Sequence, residues 1–368
     1  MKDDLERRYF VEAAAKVLDV LESFDTFEDE LTVTEVARRA GVTYSSAFRL
    51  LYTLQKRGYV TRRLGGKKFV RTPAGKRYRI GYAALDNSMR FCANISRSLV
   101  LAARTYGVDL IVKDNEMSPP KTLANADALL EERIHLLIEY QANEAVAQLI
   151  SAKCHEAQIP VIAVNFSLPG AYYFGANNYL AGKMAGRFLC EFASGIGRKG
   201  VNKFLILPGR GMGSTQEVRV TGIRDSLRQS LLRLPQTDIL TAPPGLTTHD
   251  GYRATKELLQ PLRSSSKKFL IAALTDPLGI GAARAVSKMG MGDNTCIVGQ
   301  GGDDDARQYL RRGRAFVASV AYFPHTYGER VMQLALKVLA GEKVPLTSYT
   351  PHVVLTAQNL QECYPSSL

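Results

Sequence analysis

The chain has no tryptophan, and its five cysteines stand at widely separated positions. They form no CxxC or Cys/His spacing, so we expect reduced thiols in a cytoplasm rather than disulfides or zinc ligands. The longest apolar runs, such as residues 269–274, have strand length, far below the roughly 18 residues of a membrane span. Residues 1–10 mix both charge signs and lack the apolar centre of a signal peptide. The sequence therefore predicts a cytoplasmic protein.

Spacings typical of metal and cofactor sites are also missing. The five histidines show no HxxxH or HExxH pattern. Residues 209–213 carry glycines in a GxGxG pattern, whereas dinucleotide-binding loops have GxGxxG. The acidic run at 302–306 stands where a helix is predicted to begin, and acids there offset the helix dipole. We therefore expect no metal, no cofactor and no catalytic residue.

Positive charge, by contrast, is concentrated in one segment. Residues 34–79 hold thirteen Lys or Arg and one acid, a net +12 out of the formal +13 of the whole chain. The rest of the chain is close to neutral. Such a local excess predicts a polyanionic partner for this segment alone.

This segment belongs to a region, residues 1–75, with the pattern of three helices and a hairpin. The apolar face of the first helix, within residues 9–24, consists of Val11, Ala14, Leu18 and Leu21. Thr34 is predicted to cap the second helix and Thr43 the third. The buried stripe of the third helix consists of Ala47, Leu50, Leu51 and Leu54. Paired glycines at 65 and 66 allow a tight turn between two basic strands.

Three helices with a basic hairpin predict a winged helix-turn-helix domain. A helix fits the major groove of DNA, its N-terminal side chains reach base edges, and its N-terminal amides favour phosphate. The candidate DNA contacts on the third helix are Thr43, Tyr44, Ser45, Ser46 and Arg49. Candidate phosphate contacts on the second helix and the hairpin are Arg38, Arg39, Arg62, Arg63, Lys67 and Lys68. The alternative is a solvated basic face on a protein–protein module.

The stretch LTVTEVARRAGVTYSSAFRLLYTLQKRGYV, residues 31–60, resembles the N-terminal DNA-binding domain of IclR-type bacterial regulators. The resemblance covers about the first 75 residues and implies double-stranded operator DNA as the partner. The usual effector domain of that family is GAF-like, and the residues that follow here do not resemble it.

From Arg79 onward, short apolar runs alternate with helical patterns. The ten predicted strands are 79–85, 108–114, 134–140, 160–165, 172–177, 203–209, 238–244, 269–274, 296–301 and 315–322. Strands regularly separated by helices indicate parallel sheets covered on both faces. Ten strands are more than a single sheet usually holds, so the predicted fold is an α/β body of two doubly wound parallel-sheet lobes. The cleft between their strand ends is a ligand site by position.

A second resemblance covers roughly residues 79–356. The matching stretches are PVIAVN…GANNYLAGKMAGRFL, EVRVTGIRDSL, LTDPLGIGAARAV, IVGQGGDDDA and LRRGRAFVASVAYFPHTYGERVMQLALKVLAGEKVP. In order and spacing they resemble the ribose-binding-protein superfamily, the type I periplasmic binding fold that also serves as effector domain in lactose-repressor (LacI) regulators. The resemblance implies an effector domain over 76–368 whose lobes exchange chain near 177–178, 322–324 and 349–351. Its lobes are then 79–177 with 323–349, and 178–322 with 350–362.

The resemblance also implies ligand contacts at the strand ends. The candidates are Asp86, Arg90, Phe91, Glu139, Asn165, Phe166, Glu217, Thr275, Asp276, Gln300, Gly301 and Tyr322. Several depart from the family pattern. Asn165 and Phe166 replace an Asp-Arg pair that grips sugar hydroxyls, and Gly301 stands where an aspartate is frequent.

The composition of this candidate set leaves two ligand classes open. Phe91, Phe166 and Tyr322 offer faces on which a sugar ring could stack. The acids Glu139, Glu217 and Asp276 offer acceptors for a sugar, but they would also suit an amine. A sugar or sugar-like polyol is the leading hypothesis, and a cationic or amine-bearing small molecule is the second.

The sequence as a whole predicts a ligand-responsive bacterial transcriptional regulator, acting as a homodimer and not as an enzyme. Three alternatives remain: an enzyme with an accessory DNA-binding head, an extracytoplasmic solute receptor, and a DNA-bound structural factor with a degenerate pocket. The missing export signal and the basic segment both argue against the receptor.

Overall fold

The computed structural model describes residues 9–25, 29–62, 67–72, 78–195, 201–211, 213–230, 234–264 and 268–365. The described residues up to 72 form a unit of three helices and a two-stranded hairpin, which we call the head. Its elements are α1 (Glu12–Glu22), α2 (Val33–Arg39), α3 (Tyr44–Lys56), β1 (Val60–Arg62) and β2 (Phe69–Arg71). The two strands pair antiparallel, with Val60 opposite Arg71. The order is that of a winged helix-turn-helix.

The cap of α2 differs from the prediction. Thr32, not Thr34, precedes the helix, and its hydroxyl accepts from the Glu35 backbone N–H at 3.3 Å. The Glu35 carboxylate accepts in return from the Thr32 backbone N–H at 2.8 Å. Thr34 lacks a glutamate three residues later and therefore cannot form this reciprocal capping box. Thr43 caps α3 as predicted.

The buried face of α1 is also displaced from the predicted one. Val20 and Phe24 are fully buried in the core of the head, whereas Val11 and Leu18 are 62% and 55% exposed. Of the other two predicted positions, Ala14 is exposed and Leu21 is half-buried. The helix has apolar residues on more than one face, so periodicity alone could not select the face that packs on α2 and α3.

Residues 78–365 form two lobes, which together we call the body. Lobe 1 is a fully parallel sheet of six strands in the order β13-β7-β6-β5-β3-β4. The strands are β3 (Arg79–Ala84), β4 (Asp109–Asp114), β5 (Leu136–Glu139), β6 (Val161–Val164), β7 (Tyr172–Gly175) and β13 (Thr347–Tyr349). The helices are α4 (Arg90–Tyr106), α5 (Pro119–Glu131), α6 (Glu144–Glu156) and α12 (Tyr327–Leu339). Alternate residues such as Tyr82 and Ala83 enter separate cores on the two sheet faces.

Lobe 2 is a sheet of six strands in the order β14-β12-β11-β10-β8-β9. The strands are β8 (Val201–Leu207), β9 (Ile239–Thr241), β10 (Lys268–Ala273), β11 (Thr295–Gly301), β12 (Phe316–Ala321) and β14 (Val353–Leu355). The helices are α7 (Asn178–Gly195), α8 (Gly213–Gln229), α9 (Thr248–Leu259), α10 (Asp276–Lys288), α11 (Asp304–Arg312) and α13 (Leu360–Cys363). The predicted α/β body of two doubly wound lobes is thus confirmed.

All ten predicted strands of the body are present, and two more were not predicted. These are β13 and β14, each of three residues at a sheet edge. Neither forms an apolar run long enough to stand out in the sequence. β14 pairs antiparallel with β12, so the sheet of lobe 2 is not purely parallel.

The chain passes between the lobes three times. It leaves lobe 1 after Gly175, returns after Ala321 and leaves again after Tyr349. The hinge positions predicted from the sequence lie beside these passages. Within the described ranges no helix is both long and apolar enough to span a bilayer.

Candidate functional site

A cavity of about 520 Å³ lies between the lobes, at the carboxyl ends of their parallel strands. Nine of the twelve candidate ligand contacts line it. They are Asp86, Arg90, Phe91, Asn165, Phe166, Thr275, Gln300, Gly301 and Tyr322. Both lobes contribute, because the cavity lies in the crevice outside the carboxyl ends of the strands of both sheets.

The other three candidates, all acids, do not line the cavity. Glu139 is fully buried at the end of β5, where its carboxylate accepts from Asn115 Nδ2 at 3.0 Å. Burial raises the pKa of Glu139 to about 8. Glu217 lies on the exposed side of α8. Neither side chain is among those that line the cavity.

Asp276 is the third of these acids, and it holds a loop together. Its carboxylate accepts from the backbone N–H of Gly302 at 2.7 Å and of Asp303 at 3.0 Å. It also accepts from Ser319 Oγ at 2.6 Å. With three donors around it, Asp276 ties the end of β11 to β12 and has a structural role there.

Arg219 lines the cavity although it was not among the candidates. It stands two residues after Glu217 on α8, and its side chain is buried. Nε donates to Asn178 Oδ1 at 2.7 Å, and Nη1 donates to the Leu274 carbonyl at 2.9 Å. The guanidinium lies 5.2 Å from the centre of the Tyr322 ring. Among the described residues no acid lies within ion-pair distance of it, so this end of the cavity carries positive charge.

Asp303 is the second cavity residue that was not predicted from the sequence. It lines the cavity two positions after Gly301, at the beginning of α11. It is buried, and its Oδ1 has no hydrogen-bond partner in the described part of the chain. Burial and then the nearby Asp276 raise the pKa of Asp303 well above its ordinary value. The acidic run at 302–306, interpreted only as a helix beginning, was the signal that could have revealed it.

Three further buried polar atoms on the cavity wall share this property. They are Asn165 Nδ2, Thr275 Oγ1 and Gln300 Nε2, and none has a partner among the described groups. The opposite ends of two of these side chains are engaged. Asn165 Oδ1 accepts from Tyr327 Oη at 3.1 Å, and Gln300 Oε1 accepts from Tyr322 Oη at 2.6 Å. With their oxygens engaged, Asn165 and Gln300 each have an amide nitrogen left to donate a hydrogen bond to a ligand.

Aromatic rings form the apolar part of the cavity wall. Phe91 packs edge-on against Tyr322, with ring centres 6.2 Å apart. Tyr140 and Phe166 form a tilted pair at 6.0 Å. These contacts hold the rings in place, so they present fixed faces to a ligand.

In the head, the predicted DNA contacts divide by environment. Those on an exposed surface are Arg38, Thr43, Tyr44, Ser45, Arg49, Arg62, Lys67 and Lys68, while Ser46 is half-buried. Arg39 is tied within the head, where its Nη1 lies 3.2 Å from Asp25 and 3.0 Å from Asp29. The position of Arg63 lies outside the described residues. No group of His, Cys, Asp and Glu in the described ranges is placed to hold a metal ion.

Comparison with known families agrees with this division. The profile of the periplasmic binding protein domain matches residues 80–343, more than half of the chain. The chain belongs to the periplasmic binding protein family. The profile of the IclR helix-turn-helix domain matches residues 13–64. The predicted fusion of an IclR-type head to a periplasmic-binding-protein-like body is therefore confirmed.

Curated relatives within this family include a ribose-binding protein. Ribose import binding protein RbsB of Salmonella typhimurium is 27% identical over 246 residues, which are 66% of this chain and 78% of that protein. The Escherichia coli K12 protein of the same name is 27% identical over 246 residues, with the same shares.

Solved structures share the fold of the body. A Bacillus halodurans ABC transporter solute binding protein with bound myo-inositol superposes with a TM-score of 0.69 at 18% identity, covering 79% of this chain and 99% of that one. A Mycobacterium smegmatis structure in complex with beta-D-fucofuranose also has a TM-score of 0.69, at 20% identity, covering 79% and 95%. At such identities these structures show the fold alone.

Proposed function

We propose that this protein is a ligand-responsive transcriptional regulator. Its head binds operator DNA through α3, and its body binds a small molecule in the cavity between the lobes. The proposal is supported by the IclR-type head, by the basic charge concentrated there, and by the family of the body. A homodimer would present two heads to a two-fold symmetric site, which one head with few contacts needs for affinity.

The ligand that suits the cavity is a sugar or a sugar-like polyol. The observation that carries this choice is the set of four unpaired polar atoms on Asn165, Thr275, Gln300 and Asp303. The set mixes donors with an acceptor, and each costs about 1–3 kcal/mol if it stays buried and unpaired. Hydroxyl groups both donate and accept, so a polyol can satisfy all four.

An amine-bearing ligand fits the same wall less well. An ammonium group only donates, so it cannot pair with the amide nitrogens of Asn165 and Gln300. The buried Arg219 would also repel it. Of the acids that motivated the amine hypothesis, Glu139, Glu217 and Asp276, none lines the cavity. The fixed aromatic faces add a stacking surface for a sugar ring.

Ligand acts on DNA binding only if it favours one arrangement of the lobes. A polyol that bridges Asn165 in lobe 1 and Thr275 in lobe 2 binds the closed lobes better than the open ones. It therefore shifts the population towards closure by its differential affinity. Closure then changes the spacing of the two heads in a dimer, and with it the affinity for a two-part DNA site.

A ligand screen on the full chain tests the cavity. Thermal unfolding would be followed with pentoses, hexoses and cyclitols, and with di- and polyamines as the opposing class. We expect a polyol to raise the thermal midpoint, because bound ligand adds about 2.7 kcal/mol to the free energy of unfolding at a hundredfold excess over Kd. Stabilisation by amines alone, or by nothing in the panel, would contradict the ligand assignment.

Selection of duplex DNA from a random library tests the head. We expect an enriched two-part site whose affinity falls steeply as salt rises, because phosphate contacts release counterions. Adding the ligand identified in the screen should change the Kd for that site. Failure to enrich any site at low salt would refute the regulatory function while leaving ligand binding intact.

A further inference from the structure

Three large aromatic side chains lie exposed along one side of α3. Tyr44, Phe48 and Tyr52, which we call the aromatic row, are 58%, 43% and 55% exposed. Their spacing of four residues stacks them one above another on the helix surface. The residues that face the core, among them Ala47 and Leu51, lie on another side and are fully buried. The row is therefore not needed for the packing of the head.

The members of the row differ in what surrounds them. Tyr44 is the first residue of α3, and Phe48 follows one turn later. Tyr52 stands a further turn along, with Lys56 Nζ 5.5 Å from the centre of its ring. The side chain of Phe48 has no polar atom that water could hydrate. Of the three residues, its exposure therefore most strongly indicates a binding surface.

The charges beside the row restrict that partner. Arg49 and Ser45 are exposed on the adjacent surface of α3, and Arg38 is exposed on α2. The first turn of α3 adds backbone N–H groups with no acid among residues 44–46. A partner must therefore be polyanionic and yet offer apolar spots at the end of α3. The major groove of DNA meets both conditions, and its apolar spots are the C5-methyl groups of thymine.

We propose that Phe48, with Tyr44 one turn before it, reads thymine methyl groups in the major groove. This inference rests on the proposed binding of DNA by the head, and it names part of the sequence that the head selects. Four residues of helix advance about 6 Å, close to two base-pair steps of about 3.4 Å each. The two rings can thus reach thymines about two steps apart.

Arg49 complements this contact. It follows Phe48 directly and is exposed on the same end of the helix. An arginine there can donate two hydrogen bonds to a guanine while the ring meets a neighbouring methyl group. The end of α3 therefore favours a site in which thymines accompany a guanine.

The test uses the full chain and the DNA site enriched from a random duplex library. Each thymine of that site is replaced in turn by deoxyuridine, which removes the methyl group and nothing else. We expect one or two positions at which affinity falls about fourfold, the effect of uncovering one CH₂-sized apolar group. At these positions Phe48→Ala should bind thymine and deoxyuridine equally, whereas Phe48→Leu should still prefer thymine.

Leu101→Ala is the matched control, because Leu101 on α4 is as exposed as Phe48, at 44%. It should leave the thymine preference unchanged. Thermal midpoints of all variants check that folding is preserved, and light scattering gives their mass in solution.

Three outcomes would overturn the inference. Equal affinity for every deoxyuridine substitution would refute methyl reading while leaving DNA binding in place. A change of oligomeric state in Phe48→Ala, with the thymine preference kept, would make the aromatic row a protein–protein surface. Failure to enrich any site would refute DNA binding itself, and the reading of thymine with it.

Discussion

The head and the cavity of the body are built on different length scales. The exposed face of α3 comes from thirteen consecutive residues, Tyr44–Lys56, and its N-cap is the residue just before them. The cavity wall comes from strand ends and loops spread between Leu85 and Tyr322, in both lobes. A local surface can be foreseen from periodicity and caps. A wall assembled from distant segments depends on which neighbouring side chain turns inward, and a single residue of offset changes its chemistry.

A close approach between two helices of the body gives the largest expected effect. A Cβ added at Gly328 on α12 would lie 2.0 Å from the backbone oxygen of Ser98 on α4. Since backbone cannot yield, Gly328→Ala should lower the free energy of unfolding by about 3 kcal/mol or more. Gly195→Ala is the control, because nothing lies within 4 Å of the added Cβ. Urea denaturation of both variants measures the difference, and equal stabilities would contradict the close approach of the two helices.

The buried acid of lobe 1 should make stability depend on pH. The pKa of Glu139 is raised to about 8 by burial, so the unfolded chain loses this proton at lower pH than the folded protein does. Stability should therefore fall as pH rises from about 4.3 towards 8. Glu139→Gln should reduce that slope by the share that Glu139 contributes, because buried Asp303 keeps its own raised pKa. It should gain on the order of 3 kcal/mol relative to wild type at pH 8.5.

Unfolding of Glu139→Gln and wild type at pH 5.5 and 8.5 gives this comparison. Glu217→Gln, on the exposed side of α8, serves as the control and should keep the slope of the wild type. A parallel pH dependence of Glu139→Gln and wild type would show that the acid is not held protonated in the folded state.

A substitution in the cavity wall should change ligand affinity without changing DNA affinity. Asp303→Ala removes a buried carboxyl group that lines the cavity, so affinity for the proposed polyol should fall roughly 10- to 100-fold. Without ligand the variant should be as stable as the wild type or more so, because an unpaired buried acid has been removed. Calorimetric titration and thermal unfolding measure the two quantities.

Asp305→Ala is the control, because Asp305 is less buried than Asp303. Asp305 is half exposed and pairs with Arg90 at 3.4 Å, so its loss should change ligand affinity less than about threefold. An equal loss in both variants would mean that Asp303 is not a direct contact.

A substitution in the head gives the smallest expected effect. It should change DNA affinity and leave ligand affinity unchanged, the opposite of the Asp303 substitution. Arg49→Ala should weaken operator binding about tenfold and leave ligand affinity unchanged. If Arg49 contacts a base, the salt slope stays the same, whereas a phosphate contact would reduce the slope by about one. Arg97→Ala, an exposed arginine on α4 of the body, is the control. An identical effect of both variants on DNA affinity would indicate general charge attraction.

The two predicted features that the structure corrects in the head have different causes, one local and one tertiary. Thr32 caps α2 because Glu35 completes the capping box, a signal that the sequence carries three residues away. The buried face of α1 was not decidable locally, since Val11 and Leu18 are as apolar as Val20. Only the position of α2 and α3 selects which of these residues is covered.

By itself the sequence determined the elements and their order: the helices and basic hairpin of the head, ten strands of the body, and two lobes with a cleft. These follow from periodicity, caps and charge, which act between residues close in the chain. The tertiary structure alone decided that Arg219 and Asp303 face the cavity while Glu217 and Asp276 do not. Neighbouring residues on one element point in different directions, and what each one meets depends on other segments of the chain, as Arg219 on α8 meets Asn178 and Leu274.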